Sequence, residues 1–125
     1  MPFLPNDPWL MPFFRRVNTR PGMFLGDERV RTLDTYIQAY SQARTDLGLS
    51  EFGAGEESIL ADFGRWLGAK LGDTRDVGWA SLVARHDPGE HSAKVFFLLF
   101  EEFLNERGDS LLRSGPAWPP DAPFS

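Results

Sequence analysis

The sequence contains no cysteine, and it also lacks the short motifs that mark many nucleotide-binding and nucleophilic sites. Without cysteine, a disulfide framework and a thiolate metal site are excluded, so the fold must be stabilised by packing. There is no Gly-x-Ser-x-Gly elbow and no phosphate-binding loop of the Gly-Lys-Ser type. The carboxylate pairs Glu56–Glu57 and Glu101–Glu102 are adjacent on predicted helices and point in different directions, which does not suit acid–base catalysis. We therefore expect a protein that is not an enzyme and that binds no cofactor.

Long apolar runs and an excess of positive charge are missing as well. Prolines and an Asn-Asp pair interrupt the apolar stretch MPFLPNDPWLMPFF, so we predict neither a signal peptide nor a membrane span. The net charge is -5; residues 1–50 carry 6 Lys+Arg against 5 Asp+Glu, and residues 51–125 carry 7 against 13. This charge predicts no binding to nucleic acid or to anionic membranes and suits a basic partner. A cytoplasmic protein is expected.

The two histidines offer one arrangement that could be drawn as a metal site. His86 and His91 flank the sequence DPGE, where Asp87 and Glu90 could add oxygen ligands. The histidine spacing does not match a helical i, i+4 pair and straddles a Pro-Gly turn. We predict surface polar groups near a helix start and no metal ligands.

Apolar periodicity predicts a single all-α domain of about four helices over residues 1–125. Residues 1–19 are predicted to form an extended, proline-rich arm whose aromatic side chains lie across the core, and residues 108–125 an extended tail. The helical core spans residues 20–107. Its predicted helices cover residues 27–47, 57–71, 79–85 and 90–107. The last helix, rich in Phe and Leu, is expected to be the most buried, and Gly64 and Gly68 are expected to let another helix approach closely.

The stretch RPGMFLGD precedes the first predicted helix and has two interpretations. It resembles a motif in the ATPase domain of type II topoisomerases of the gyrase kind, where a helix Asn and a downstream Asp-x-Gly-x-Gly loop belong to the nucleotide site. Residues 27–47 contain no Asn and the chain contains no such loop, so we prefer a turn. In that turn Pro21, Gly22 and Gly26 shape the backbone, and residues 23–25 insert into the core. The buried face of the helix that follows is predicted to comprise Val30, Leu33, Ile37, Tyr40, Ala43 and Leu47.

Five segments within residues 20–104 together resemble small bacterial immunity proteins of polymorphic and contact-dependent toxin systems. They are RPGMFLG, LDTYIQAY, FGRWLGAKLG, WASLVARH and AKVFFLLFEEFL. The resemblance implies a cytoplasmic protein that neutralises one cognate toxin domain by direct contact and has no catalytic activity. It supplies no residue as a defined toxin contact.

The acidic loops SEFGAGEE and GDTRD, which join successive helix ends, are the predicted toxin contact. Toxins that attack nucleic acids carry basic grooves, and an acidic inhibitor gains association rate from electrostatic steering. The candidate contact residues are Glu51, Glu56, Glu57, Asp73 and Asp76, with Phe52 as an apolar anchor. Two other hypotheses stay open. One is a structural or regulatory module that self-associates through its aromatic termini, and the other is a small-ligand binder with Trp66 or Trp79 as a pocket wall.

Overall fold

A computed structural model of the protein describes residues 8–53, 55–56, 58–73 and 78–111. Within those ranges the chain forms six α-helices and no β-strand, which confirms the all-α prediction but exceeds the predicted four helices. No helix in the described ranges is both long and apolar enough to cross a lipid bilayer. The helices are α1 (Leu10–Thr19), α2 (Pro21–Leu25), α3 (Val30–Asp46), α4 (Ile59–Leu71), α5 (Trp79–His86) and α6 (Ser92–Glu106).

The N-terminal segment corrects the prediction of an extended arm over residues 1–19. Residues 10–19 are helical, and residues 1–7 lie outside the described part of the chain. Pro12 does not prevent this helix because it lies in the first turn, where backbone N–H groups have no partner within the helix. The expected packing is confirmed for the described aromatic residues: Phe14 is fully buried beside Leu10 and Val17, and Trp9 and Phe13 are partly buried against the core.

RPGMFLGD forms a short helix and a turn. Pro21 occupies the first turn of α2, and Gly26 ends the helix in a left-handed conformation with φ 83°. Leu25 is buried as predicted, but Met23 is 73% exposed, which corrects its predicted place in the core. Successive residues of a helix point about 100° apart, so Met23 and Leu25 cannot share one buried face. The side chain of Phe24 lies outside the described part of the structure.

The core is built largely from phenylalanine rings of three helices. Phe14 of α1 and Phe63 of α4 each meet Phe96 and Phe100 of α6 at centroid separations between 5.2 and 5.4 Å. Helix α6 also contacts α3, α4 and α5. The prediction that this helix is the central, most buried element is confirmed.

Helix α5 approaches α4 closely at Gly64, as predicted, whereas the nearest neighbour of Gly68 is the turn after α4. A Cβ added to Gly64 would lie 3.7 Å from the Cβ of Trp79, and one added to Gly68 would lie 3.0 Å from the carbonyl oxygen of Asp73. The glycines therefore make room for the start of α5 and for the turn after α4.

The chain after α6 is fixed to the core at its first residues. Glu101 accepts hydrogen bonds from the Ser110 hydroxyl and the Leu111 backbone N–H, both at 2.6 Å. The Leu111 carbonyl accepts a hydrogen bond from Nε of Arg15 in α1 at 2.7 Å. Residues 108–111 are thus docked on the helices, while residues 112–125 of the predicted tail lie outside the described chain.

Candidate partner-binding surface

The predicted contact residues fall into four groups. Glu51 is exposed, and Phe52 is half-buried with its ring stacked on Trp9 at 5.6 Å. The carboxylate of Asp73 is 15% exposed and pairs with Arg85 at 3.3 Å. Glu57 and Asp76 lie outside the described residues.

Glu56, the remaining predicted contact, is buried and not exposed on the surface as expected. Its side chain is 4% exposed, and its carboxylate accepts backbone N–H groups of Trp9, Leu10 and Met11 at 2.9, 3.0 and 2.9 Å. These are donors at the beginning of α1, where no local side chain caps the helix. A buried carboxylate whose two oxygens are both engaged is not offered to a partner, so the placement of Glu56 in a surface patch is corrected.

The described acids of the two loops that lie nearest α4, Glu56 and Asp73, are at opposite ends of that helix. They precede and follow α4, which has 13 residues and is about 20 Å long at 1.5 Å per residue. Glu56 lies just before the first turn of this helix and Asp73 just after its last. The hydrogen bond from Nε1 of Trp9 to the Glu51 carbonyl, 3.1 Å long, ties the first loop to the beginning of α1 instead.

An aromatic group lies at that junction, and only one of its members, Phe52, was among the predicted contacts. We call Trp9, Phe13, Tyr40 and Phe52 the Trp9 cluster. The Trp9 ring lies edge-on to Tyr40 at 4.6 Å and contacts Phe13 at 6.3 Å. Tyr40 is 48% exposed, and the other three rings are only partly buried. The cluster therefore presents aromatic edges and faces at the surface where α1, α3 and the loop before α4 meet.

Helix α3 extends this aromatic surface along its outer side. Tyr36, Tyr40, Ala43 and Leu47 are all exposed and occur at helical spacing, so they form one stripe, here called the α3 stripe. Tyr36 is 47% exposed and Leu47 is 77% exposed. The sequence placed Tyr40, Ala43 and Leu47 on the buried face, and that placement is wrong.

The buried face of α3 takes a different course from the predicted one. After Val30, Leu33 and Ile37 it continues through Ser41 and Arg44. Arg44 is accommodated because its Nε–H donates to the Ser50 carbonyl at 2.7 Å. The apolar residues predicted as one face therefore divide into a buried row and an exposed row.

Between residues 36 and 51 the exposed charged side chains are acidic, and the one cation, Arg44, is buried. Residues 32–43 contain neither Lys nor Arg. Asp46 and Glu51 are exposed, and Asp46 accepts a hydrogen bond from Gln42 at 3.0 Å. Tyrosine- and tryptophan-rich surfaces with few charges at the centre are typical of protein interfaces. The acidic margin adds complementarity to a partner with basic groups around an apolar patch.

Trp66 and Trp79, the candidate pocket residues from the sequence, pack against the core. Nε1 of Trp66 donates to Glu106 at 3.0 Å, and its ring stacks on Phe63. Trp79 packs on Phe96 at 4.8 Å, so both tryptophans contact the core and the hypothesis of a ligand pocket gains no support from their packing.

The histidine segment is engaged in local and inter-helix contacts. The imidazole of His91 contacts the carboxylate of Glu28, and the carboxylate of Asp87 accepts the Gly89 N–H at 3.0 Å. Among the described residues, no group of three or more potential ligands is placed to hold a metal ion.

Comparison with known proteins gives no match to a family model, to a curated protein or to a solved structure.

Proposed function

We propose that the protein is a non-catalytic binding protein of the cytoplasm that neutralises a toxin domain by direct contact. The surface is assigned from geometry: the α3 stripe and the Trp9 cluster form a continuous, partly exposed aromatic surface. The partner class is taken from the resemblance to small bacterial immunity proteins. The observation that carries the proposal is the exposed row Tyr36, Tyr40, Ala43 and Leu47 on a helix whose other side is already buried in the core.

A protein partner is favoured because burying these side chains in an interface is energetically favourable. Tyrosine and tryptophan bury much apolar area with few rotatable bonds, so ordering them costs little conformational entropy. Leu47, which is largely exposed, would be desolvated on binding. Exposed Asp46 and Glu51 would attract a basic partner and raise its association rate.

The test pairs this protein with the C-terminal domain encoded by the neighbouring large reading frame, produced in a bacterial host. We expect that domain to kill the host, and co-production of the full chain to restore growth and yield a stable complex. The informative variant is Leu47→Arg. A bulky cation within the stripe should weaken the complex by about tenfold or more, as hot-spot truncations do.

Leu98 provides a matched control because it is another highly exposed leucine, 74% against 77% for Leu47, and lies on α6. Leu98→Arg should leave both rescue and affinity unchanged. Equal affinity of the wild type and Leu47→Arg would reject the surface while leaving the function intact. Absence of killing, or killing without rescue, would reject the function.

The same variants distinguish toxin binding from the self-association hypothesis. Deletion of residues 1–14 is unsuitable because it removes Leu10 and Phe14 from the core. If the wild type instead shows a concentration-dependent mass by light scattering that Leu47→Arg abolishes, the stripe is occupied by a second copy and the toxin proposal fails.

A further inference from the structure

A cleft on a different part of the molecule gathers arginine side chains in an otherwise acidic protein. It lies between the start of α3, the end of α5 and the turn at Pro88 and Gly89, with a volume of about 570 Å³. Its polar lining comprises Arg29, Arg31, Arg85, Ser81 and Ser92. The chain carries a net charge of -5, and the three guanidinium groups around this cleft concentrate positive charge that Glu90 and Asp73 offset in part.

The three arginines are unequally engaged by acidic groups. Arg85 pairs with Asp73 at 3.3 Å, whereas Arg29 reaches Glu90 only at 4.0 Å, with both side chains largely exposed. Within the described residues, no ion pair or side-chain hydrogen bond engages the guanidinium of Arg31. The cleft therefore retains donor capacity that the described part of the protein does not use.

A helix dipole and a hydroxyl group add to the attraction of this cleft for an anion, while the Val30 and Thr32 N–H groups already donate to Ser92 Oγ and to the Arg29 carbonyl. Helix α3 has 17 residues, and its N-terminus, the positive end of the helix dipole, opens at Arg29 and Arg31. Ser92 is 3% exposed and its Oγ accepts the Val30 N–H at 2.8 Å. A hydroxyl that accepts one bond still has its own O–H to donate, so Ser92 keeps one donor for a further hydrogen bond.

The higher charge and the extra terminal oxygen of a phosphate group favour it over a carboxylate at these donors. Guanidinium binds phosphate oxygens through paired N–H donors, and a phosphomonoester carries about two negative charges and three terminal oxygens. It can therefore outcompete the single charge of Glu90 at its 4.0 Å contact with Arg29. The volume exceeds that of a bare phosphate and falls in the range of small-molecule sites, leaving room for an organic group.

We propose that this cleft binds a phosphorylated small molecule, with Arg31 and Arg29 holding the phosphate group. The site is independent of the proposed partner surface, which lies on the α3 stripe and the Trp9 cluster. Either proposal can fail without the other.

The experiment is an isothermal titration of the full chain at constant ionic strength. The probes are inorganic phosphate, a nucleoside 5′-monophosphate and a sugar phosphate, with acetate as the monoanionic control. We expect saturable binding of at least one phosphate probe, no saturable binding of acetate, and loss of about tenfold in affinity in Arg31→Gln. Tighter binding of an ester than of inorganic phosphate would identify the organic group as part of the ligand, and equal binding would identify the phosphate alone.

The control variant is Arg65→Gln, which removes another highly exposed arginine, on α4 and outside the cleft. It should bind the phosphate probe like the wild type. Arg31→Lys, which keeps the charge but not the paired donors, should retain part of the affinity. No saturable phosphate binding, saturable acetate binding of equal strength, or the same loss in Arg65→Gln as in Arg31→Gln would overturn the proposal.

Discussion

At the scale of single residues, the carboxylate of Glu56 connects two segments that are far apart in the sequence. It accepts N–H groups of Trp9, Leu10 and Met11 across 45 to 47 residues. The first N–H groups of a helix have no internal partner, and the helix dipole favours a negative charge beside them. A distant acid thus performs the task that Ser, Thr, Asp or Asn next to a helix usually performs.

We predict that Glu56→Ala lowers the free energy of unfolding by about 2–3 kcal/mol, because buried N–H groups lose their acceptors. Glu56→Gln should cost less, since its amide retains one acceptor oxygen. Urea unfolding followed by circular dichroism measures both values. Glu102→Ala, which removes an exposed acid paired with Lys70, is the control and should change stability by less than about 1 kcal/mol. Similar losses in all three variants would contradict the capping role.

Glu28 predicts a pH dependence of stability. Contact with the His91 imidazole, followed by attraction to Lys94, lowers the pKa of this carboxyl below its ordinary value of 4.5. A depressed pKa in the folded state gives stability that is present above the unfolded-state value and is lost as pH falls through the folded-state value. The stability difference between wild type and Glu28→Gln should therefore be largest near neutral pH and shrink below pH 4.5.

This pH dependence is checked by unfolding both proteins at a series of pH values. Glu90→Gln provides the matched control, because Glu90 lies in the same region and has only a long, exposed contact with Arg29. A constant difference for Glu28→Gln between pH 7 and pH 3, within error, would contradict the assignment.

At the scale of elements, helix α3 shows how one apolar pattern can contain two faces. Its predicted face ran through Tyr40, Ala43 and Leu47, but the core takes Ser41 and Arg44 in their place. On a helix, residues 40 and 41 follow residue 37 at steps of three and four, which are both core spacings, so periodicity leaves the choice open. Packing against α5 and α6 decides it, and the residues left outside become the candidate surface.

The glycines of α4 give a prediction for a pair of elements. Gly64→Ala places its methyl group at an ordinary distance, 3.7 Å from the Trp79 Cβ, so the higher helix propensity of alanine should raise stability by about 0.5–1 kcal/mol. Gly68→Ala places its methyl group 3.0 Å from the Asp73 carbonyl oxygen, in a turn held by the bond from the Asp73 N–H to the Gly68 carbonyl. This contact should cancel the gain or reverse it.

Thermal and urea unfolding of the two alanine variants measure the difference. Each is the control for the other, because both replace a glycine of the same helix. If Gly68→Ala raises the free energy of unfolding as much as Gly64→Ala does, the turn at Asp73 shifts to accommodate the methyl group without a cost in stability.

At the scale of the whole molecule, the first described helix, α1, and the last, α6, share one core. The ring of Phe14 meets Phe96, Phe97 and Phe100 within 5.7 Å, and all four residues are almost fully buried. Leu111 is buried in the same core, and its carbonyl accepts the hydrogen bond from Arg15 of α1. Burial of Arg15 lowers the pKa of its guanidinium, although the acids Asp109 and Glu56 act in the opposite direction.

We predict that Phe14→Ala destabilises the whole protein by about 3–5 kcal/mol, as a large cavity in a packed core does. Phe63→Ala should cost a comparable amount, because Phe63 contacts the same rings of α6. Phe13, the sequence neighbour of Phe14, is only partly buried, so Phe13→Ala is the control and should lower stability clearly less. Unfolding followed by tryptophan fluorescence and by circular dichroism should give one shared transition. A loss for Phe14→Ala no larger than for Phe13→Ala would show that α1 is peripheral to the fold.

The sequence by itself determined the helical class, the approximate positions of α3 to α6 and the central place of α6. These features follow from local periodicity and glycine positions, because a helix must bury its apolar face. It did not reveal α1, whose cap is supplied by Glu56 from another part of the chain, and it counted that buried acid as a surface contact. Only the tertiary structure decided which apolar residues stay outside: Tyr40 and Leu47 fit the helical pattern as well as core residues do, and the packing of α3 against its neighbours leaves them exposed. The candidate surface and the arginine cleft depend on such long-range packing, which no local pattern contains.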